Sequence, residues 1–245
     1  MNTSAEFRWT SSCLTHLGLV RQVNEDACLD RPEAGIWVGA DGMGGHMAGD
    51  IASRMIVDAL RDVNPGSRLS EMVNNVERRI LNVNHDLIKK VEGEEIGNSM
   101  GSTVVALVAK KGHCACIWAG DSRMYRFRRG ELEQLTRDHS RVEELIESGD
   151  LLPELAESHP EANIITRAVG VDELLVLDVD VLEIQDGDLF LLCSDGLYKE
   201  VEYPEIENQM TNGSCAEICA NLVQLALDRG CRDNVTIVAT RFDLV

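Results

Sequence analysis

Aromatic side chains are scarce in this chain of 245 residues: three Trp, three Tyr and four Phe, 4% in all. Proline is scarcer still, with five residues scattered along the chain. No Pro-rich linker, low-complexity tract or internal repeat breaks the sequence, so residues 1–245 are expected to form one domain. No apolar run approaches the roughly 18–20 residues that a bilayer-spanning helix needs, and membrane insertion is not expected. The opening MNTSAEFRWTSS has neither a basic n-region nor an apolar h-region, which predicts no secretory signal. Eight cysteines are present but no C-x-x-C pair, which argues against structural zinc and for reduced, mostly buried thiols in a cytoplasmic protein. Positive charge is short as well, with 23 Lys and Arg against 42 Asp and Glu and a net charge of -19. Nucleic acid and anionic membrane are poor partners for such a surface.

The patterning predicts short strands at 7–17, 26–30 and 35–41. From 46 to 63 the period changes: Ile51, Met55, Ile56, Ala59, Leu60 and Val63 share one helical face, and residues 69–91 repeat the pattern after the break at Asn64-Pro65-Gly66. Strands follow at 103–109, 113–119, 122–128 and 131–135, with Lys111-Gly112 and Arg129-Gly130 at turn positions. Residues 140–158 read as a polar helix interrupted by Pro153. Strands at 174–183 and 188–193 flank Asp186-Gly187, helices are expected at 203–210 and 214–229, and a strand at 234–242 closes the chain. Strands and helices do not alternate one to one, so the pattern fits an α+β class with antiparallel sheets covered by helix pairs.

Against this background certain acids recur at strand ends. VGADGMGGH (38–46) carries Asp41 and then three glycines in four positions. LLCSDG places Asp195 after an apolar strand, WAGDS places Asp121 after another, and RDNVTI places Asp233 just before the last. Each alone is more often a turn. Together they suggest carboxylates converging at one sheet edge, which repel one another strongly unless divalent cations are bound. An all-oxygen set favours the hard ions Mg²⁺, Mn²⁺ or Ca²⁺. The glycines then expose the Gly42 carbonyl as a further ligand, permit a strained φ and leave room for metal and water. Near the N-terminus, RQVNEDA adds Arg21, of the type that binds phosphate bidentately, with Glu25 and Asp26. An arginine, several carboxylates and metals are the set needed to transfer a phosphoryl group to water.

At these residues the sequence resembles the PPM-type metal-dependent Ser/Thr protein phosphatases in their compact bacterial form. The resemblance covers about residues 9–242 and rests on RQVNED, VGADGMGGH, GST (101–103), WAGDSR, TRDHS (136–140), ITRAVG (165–170), LLCSDGL and RDNVTI, in that order. It implies a four-layer α-β-β-α sandwich of two antiparallel sheets flanked by helix pairs, with two Mn²⁺ or Mg²⁺ ions at one end. Asp41 is similar to the family's bridging carboxylate, Gly42 to its carbonyl ligand, and Asp195 and Asp233 to the remaining ligands of the first metal. Glu25 resembles a residue reaching the second metal through water, with Asp26 in support. Asp121, with Asp195, resembles the pair that holds a third metal in bacterial members. Arg21 resembles the phosphate-binding arginine, and residues 141–164 correspond to a mobile flap beside the site. The sequence departs from some members, which carry a histidine directly after the Asp-Gly. Met43 stands there, and the histidine is His46, near the start of a predicted helix whose dipole opposes its protonation. Two readings of His46 stay open, a general acid for the leaving group or a cap on the glycine loop.

The activity implied is hydrolysis of phosphoserine or phosphothreonine on proteins, opposing a bacterial Ser/Thr kinase. A water between two metals about 3.5–4 Å apart would attack phosphorus with no covalent enzyme intermediate. A cysteine-dependent mechanism is excluded because no cysteine has an arginine six positions on, and no GxxxxGK[ST] phosphate loop occurs. A non-catalytic relative is disfavoured because Asp41, Asp195 and Asp233 are all present. A structural calcium protein is disfavoured because the acids are dispersed. A hydrolase of small phosphoesters is left as the rival.

Overall fold

The structure is a computed structural model and describes residues 6–44, 48–91 and 100–245. His46, one of the expected catalytic residues, lies outside the described residues. Two antiparallel sheets pack face to face. The first contains β1 (Phe7–His16), β11 (Val235–Leu244), β10 (Leu189–Cys193), β7 (Arg123–Arg128) and β8 (Glu131–Gln134), in that spatial order. The second runs β2 (Asp26–Arg31), β3 (Ile36–Gly44), β5 (Val104–Lys110), β6 (His113–Ala119) and β9 (Asp178–Glu183), with β4 (Met100–Ser102) paired to the end of β3.

Alternation along the strands gives each sheet two apolar faces, and the helices cover the outer ones. The helices α1 (Ala48–Arg61) and α2 (Leu69–Val91) bury Ile56, Leu60, Met72, Ile80 and Leu87 against the second sheet. On the first sheet, α5 (Tyr203–Met210) and α6 (Cys215–Asp228) do the same through Ile206, Ile218 and Leu222. The layer between the sheets concentrates the few aromatics. Trp9, Trp37 and Phe190 surround Phe242, with ring centroids 5.6–5.8 Å from it. This is the α-β-β-α sandwich, with a helix pair on each outer side.

Local chemistry explains most boundaries. Lys111-Gly112 and Arg129-Gly130 both have positive φ at both residues (49° and 77°, 55° and 88°), the left-handed pair of a tight hairpin turn. A capping box at Ser214 and Glu217 starts α6. Three elements differ from the sequence reading. The polar helix expected over 140–158 is only α3 (Arg141–Ser148), ended by Gly149 at φ 81°, followed by a single 3-10 turn at Pro153–Leu155. The strand expected from 174 begins at Asp178, where pairing with Trp118 starts. The strand expected to stop at Asp41 continues to Gly44, because β4 supplies partners for Gly42, Met43 and Gly44.

One end of the sandwich is where the chain changes sheets. Residues 17–25 carry it from β1 to β2, and Gly120, Asp121 and Ser122 carry it from β6 to β7. The C-terminal end of β10 and the start of β11 lie at the same end, since Cys193 pairs with both Ile237 and Arg123. The short helix α4 (Asp195–Tyr198) follows β10 there.

Candidate active site

A cleft of about 620 Å³ opens at this end, and Arg21, Glu25, Asp41, Asp121, Asp195 and Asp233 line it. Gly42 lines it too. Asp26 lies behind the cleft wall, 6% exposed, where it accepts a hydrogen bond from Ser194 Oγ (2.8 Å). Of the residues singled out in the sequence, the fold therefore brings all to one place except His46, which is not among those described.

Register does much of the positioning. Asp26 and Asp41 are direct partners in the β2–β3 ladder, so two acids meet where a sheet ordinarily avoids like charges. The Asp41 backbone is pinned on both sides: its N–H donates to Thr103 Oγ1 (3.0 Å), and its carbonyl accepts from Thr103 N (2.8 Å) and Ser102 Oγ (3.0 Å). Asn234 ties the other side together. Its Oδ1 accepts from Glu25 N (2.8 Å), and its Nδ2 donates to the carbonyls of Leu17 (2.9 Å) and Val23 (3.1 Å).

The glycines answer to backbone packing more than to strain. A Cβ on Gly42 would stand 2.2 Å from the Gly49 carbonyl oxygen and 2.5 Å from that of Glu25. One on Gly196 would stand 2.0 Å from the Asn234 carbonyl oxygen. The positive φ expected in the glycine run falls on Gly44 (147°), and Gly42 has no room for a side chain because helix α1 and the end of the β1–β2 connection at Glu25 both press on it.

The electrostatics are those of too many acids in too little water. Burial raises the carboxyl pKa of Asp121 to about 7, helped by Asp195, and that of Asp26 to about 7 against its hydrogen bonds. Burial pushes Asp41 well up too, and Asp26, Asp195, Asp121 and Asp233 all add to the effect. Asp195 and Asp233 instead have cationic partners: Lys199 Nζ lies 2.6 Å from Asp195 Oδ2, and an Arg21 nitrogen lies 2.7 Å from Asp233 Oδ2. Lys199 also donates to Asn163 Oδ1 (2.8 Å), which joins Asp195 to the 141–164 segment. Among the described residues no three Asp, Glu, His or Cys groups already form a closed cage for a metal. The two ion pairs hold two of the acids toward side-chain cations instead.

The donor set nevertheless fits hard cations. Asp26, Asp121 and Asp195 each keep a buried Oδ1 with no hydrogen-bond partner. An unpartnered buried carboxylate oxygen is costly, and mutual repulsion compounds it. Divalent cations in the cleft relieve both, and oxygen donors alone select Mg²⁺- or Mn²⁺-like ions over zinc.

Sequence reasoning assigned no role to Lys199, Asn163, Thr103, Ser194 or Asn234. Lys199 was open to discovery, since it lies one helical turn from Asp195. Asn234 stands beside Asp233, but nothing in its neighbours indicates that its amide reaches residues more than 200 positions away.

Known proteins resemble this chain over nearly its whole length. The serine/threonine phosphatase stp of Listeria welshimeri is 35% identical over 98% of this chain and 96% of its own. The protein phosphatase PhpP of Streptococcus pneumoniae is 35% identical over 92% and 94%. Among solved structures, PppA, described as a key regulatory component of T6SS in Pseudomonas aeruginosa, superposes with a TM-score of 0.88 at 44% identity, covering 96% of this chain and 97% of that one. The catalytic domain of the phosphatase PstP, solved with two manganese ions, gives 0.86 at 33% identity over 97% and 100%. The family model described as protein phosphatase 2C matches residues 19–228, which hold the whole second sheet, β7, β8 and β10 of the first, and the cleft residues Arg21, Glu25, Asp41, Asp121 and Asp195. With the family match over most of the chain and relatives aligned over nearly all of it, the chain belongs to the protein phosphatase 2C family.

Proposed function

We propose that this chain removes phosphate from phosphoserine and phosphothreonine on proteins, as a Mn²⁺- or Mg²⁺-dependent enzyme. The observation that carries the reading is the convergence of buried, unpartnered carboxylate oxygens on one cleft that has Arg21 at its rim. Asp41, Asp195, Asp233 and the Gly42 carbonyl are the donors for two ions. Asp121 with Asp195 is the set for a third. Bound there, the ions supply a hydroxide nucleophile at neutral pH and withdraw charge from the phosphoryl oxygens.

The chain's own residues do the rest. Arg21 is half exposed and held toward the cleft through Asp233, placed to bind phosphate oxygens with its planar fork. Burial and Asp26 raise the Asp41 pKa, so a cation bound beside it would favour release of the carboxyl proton. Glu25 stands at the cleft wall as a support for water, and Asp26 steadies β2 through Ser194. His46 is proposed either as the proton donor to the leaving alkoxide or as a cap on the glycine loop. Residues 141–164 form the flap of a single catalytic domain over residues 1–245, with Asn163 as its link to the cleft through Lys199.

A Ser/Thr kinase whose products it reverses is the partner this activity calls for, in a signalling role. The eight free cysteines support a cytoplasmic setting. Among the described residues no helix is long and apolar enough to cross a membrane.

The test is phosphate release from a phosphoserine or phosphothreonine peptide, with Mn²⁺, with Mg²⁺ and with a chelator. Metal-dependent release that the chelator abolishes is expected. Hydrolysis of a small phosphomonoester with no turnover of any phosphopeptide would favour the small-ester hydrolase instead.

A further inference from the structure

Six of the eight cysteines are buried. The two that are not, Cys13 and Cys28, are each other's neighbours. They stand on the edge strands of different sheets, Cys13 on β1 and Cys28 on β2, so no backbone ladder joins them. Side-chain contacts do. Ser11 Oγ donates to Asp30 Oδ1 across the gap (2.6 Å), and two residues further along each strand, in opposite directions, come Cys13 and Cys28. On the other side Asn24 Nδ2 donates to Thr15 Oγ1 (2.8 Å). Side chains alternate along a strand, so Ser11, Cys13 and Thr15 share one face of β1, and Asp30 and Cys28 share one face of β2. The thiol pair is bracketed by a hydrogen bond on either side, which sets the two thiols facing each other across the gap.

We infer that Cys13 and Cys28 are a peroxide-oxidised thiol pair that closes into a disulfide between the two sheets. The Cys13 thiolate attacks a peroxide oxygen, the O–O bond breaks, and hydroxide leaves. The resulting sulfenic acid is displaced by Cys28, which gives up its proton as the S–S bond forms and water departs. Overall two thiols and one hydrogen peroxide yield one disulfide and two waters. The neighbouring Cys28 thiol lowers the Cys13 pKa, while Cys13 and burial raise that of Cys28, so the two thiols divide into an attacking and a resolving partner. Cys13 and Cys28 are only partly buried, so peroxide and reductant can reach them, whereas the other six thiols are buried and all have raised pKa values.

The bond would have a target. The segment between these cysteines is residues 14–27, which includes the whole β1–β2 connection with Arg21 and Glu25. Oxidation ties that loop at its base and reduction frees it.

The experiment treats the whole protein with hydrogen peroxide at near-stoichiometric amounts, alkylates remaining thiols, and maps peptides without reduction. A Cys13–Cys28 cross-linked peptide is expected, reversed by dithiothreitol. The oxidised protein should melt about 5 °C higher than the reduced one, as a closed short loop predicts. Cys13→Ser and Cys28→Ser should each abolish the cross-link and the shift, while both variants fold and retain activity in reductant. Three results would overturn the inference: both thiols fully alkylated after peroxide, a cross-link from Cys13 to Cys219, or Cys13 carried to sulfinic acid with Cys28 still free. None of them touches the phosphatase reading, which rests on other residues.

Discussion

The two sheets supply acids to the same cleft but treat them differently. On the second sheet, Asp26 and Asp41 face each other across a ladder and, among the described residues, neither has a cationic partner; backbone and hydroxyl groups hold them. On the first sheet, Asp195 and Asp233 each have a salt bridge, to Lys199 and Arg21. The first arrangement stores repulsion inside a rigid frame, and the second places adjustable charge on long, half-exposed side chains. The difference separates what must be satisfied by bound cations from what can rearrange when substrate arrives.

The largest test of that contrast removes one acid from each side. Asp41→Ala and Asp195→Ala are each expected to lower Mn²⁺-dependent kcat on a phosphopeptide by at least about 10³-fold with the fold intact by circular dichroism, since each removes a proposed metal donor. Their ion-free forms should differ. In chelator at neutral pH, Asp41→Ala should melt above the wild type because it relieves burial of a carboxylate among four other acids. Asp195→Ala relieves repulsion as well but also breaks the ion pair with Lys199, so its gain should be smaller. Equal melting shifts would erase the distinction.

Next in size comes the frame itself. Gly42→Ala forces a methyl group against two backbone carbonyls and should cost about 3 kcal/mol in a urea titration. An unchanged midpoint would show that the second sheet is not the rigid partner.

Arg21→Ala probes the adjustable side. KM for a phosphopeptide should rise about tenfold or more, the scale of a lost charge-assisted hydrogen bond, with the Mn²⁺ affinity from calorimetry nearly unchanged. A change in metal affinity as large as that in KM would mean Arg21 serves Asp233 and not the phosphate.

The smallest effect is expected for Lys199→Ala. Its pair with Asp195 is partly exposed and one helical turn long, so folding stability should fall by less than about 1 kcal/mol. A larger loss would place Lys199 with the rigid half of the site.

How far the sequence foretold this site depends on distance along the chain. Each strand and helix is a local pattern, and Lys111-Gly112 or Ser214-x-x-Glu217 can be read from a few neighbours. The clustering of Asp41, Asp121, Asp195 and Asp233 was legible only because each stood at the same kind of boundary and together they matched a known order. The β4 pairing was not legible: three residues carry no periodicity, yet they lengthen β3 past Asp41 and so change where that acid sits. The 140–158 helix failed for a related reason. Glycine at 149 ends it, and its polar composition has no buried stripe to indicate where helix stops. The Arg21–Asp233 and Lys199–Asn163 contacts depend on tertiary packing alone.

The amide of Asn234 has one last consequence. A single side chain at the root of the closing strand grips both shoulders of the Arg21 hinge-piece, at Leu17 and Val23, and also the amide of Glu25. Its immediate neighbour is Asp233. The loop that carries Arg21 and the residues leading into the closing strand at Asp233 are therefore geared to one peg, so a tug on either arrives at the other without passing through the core.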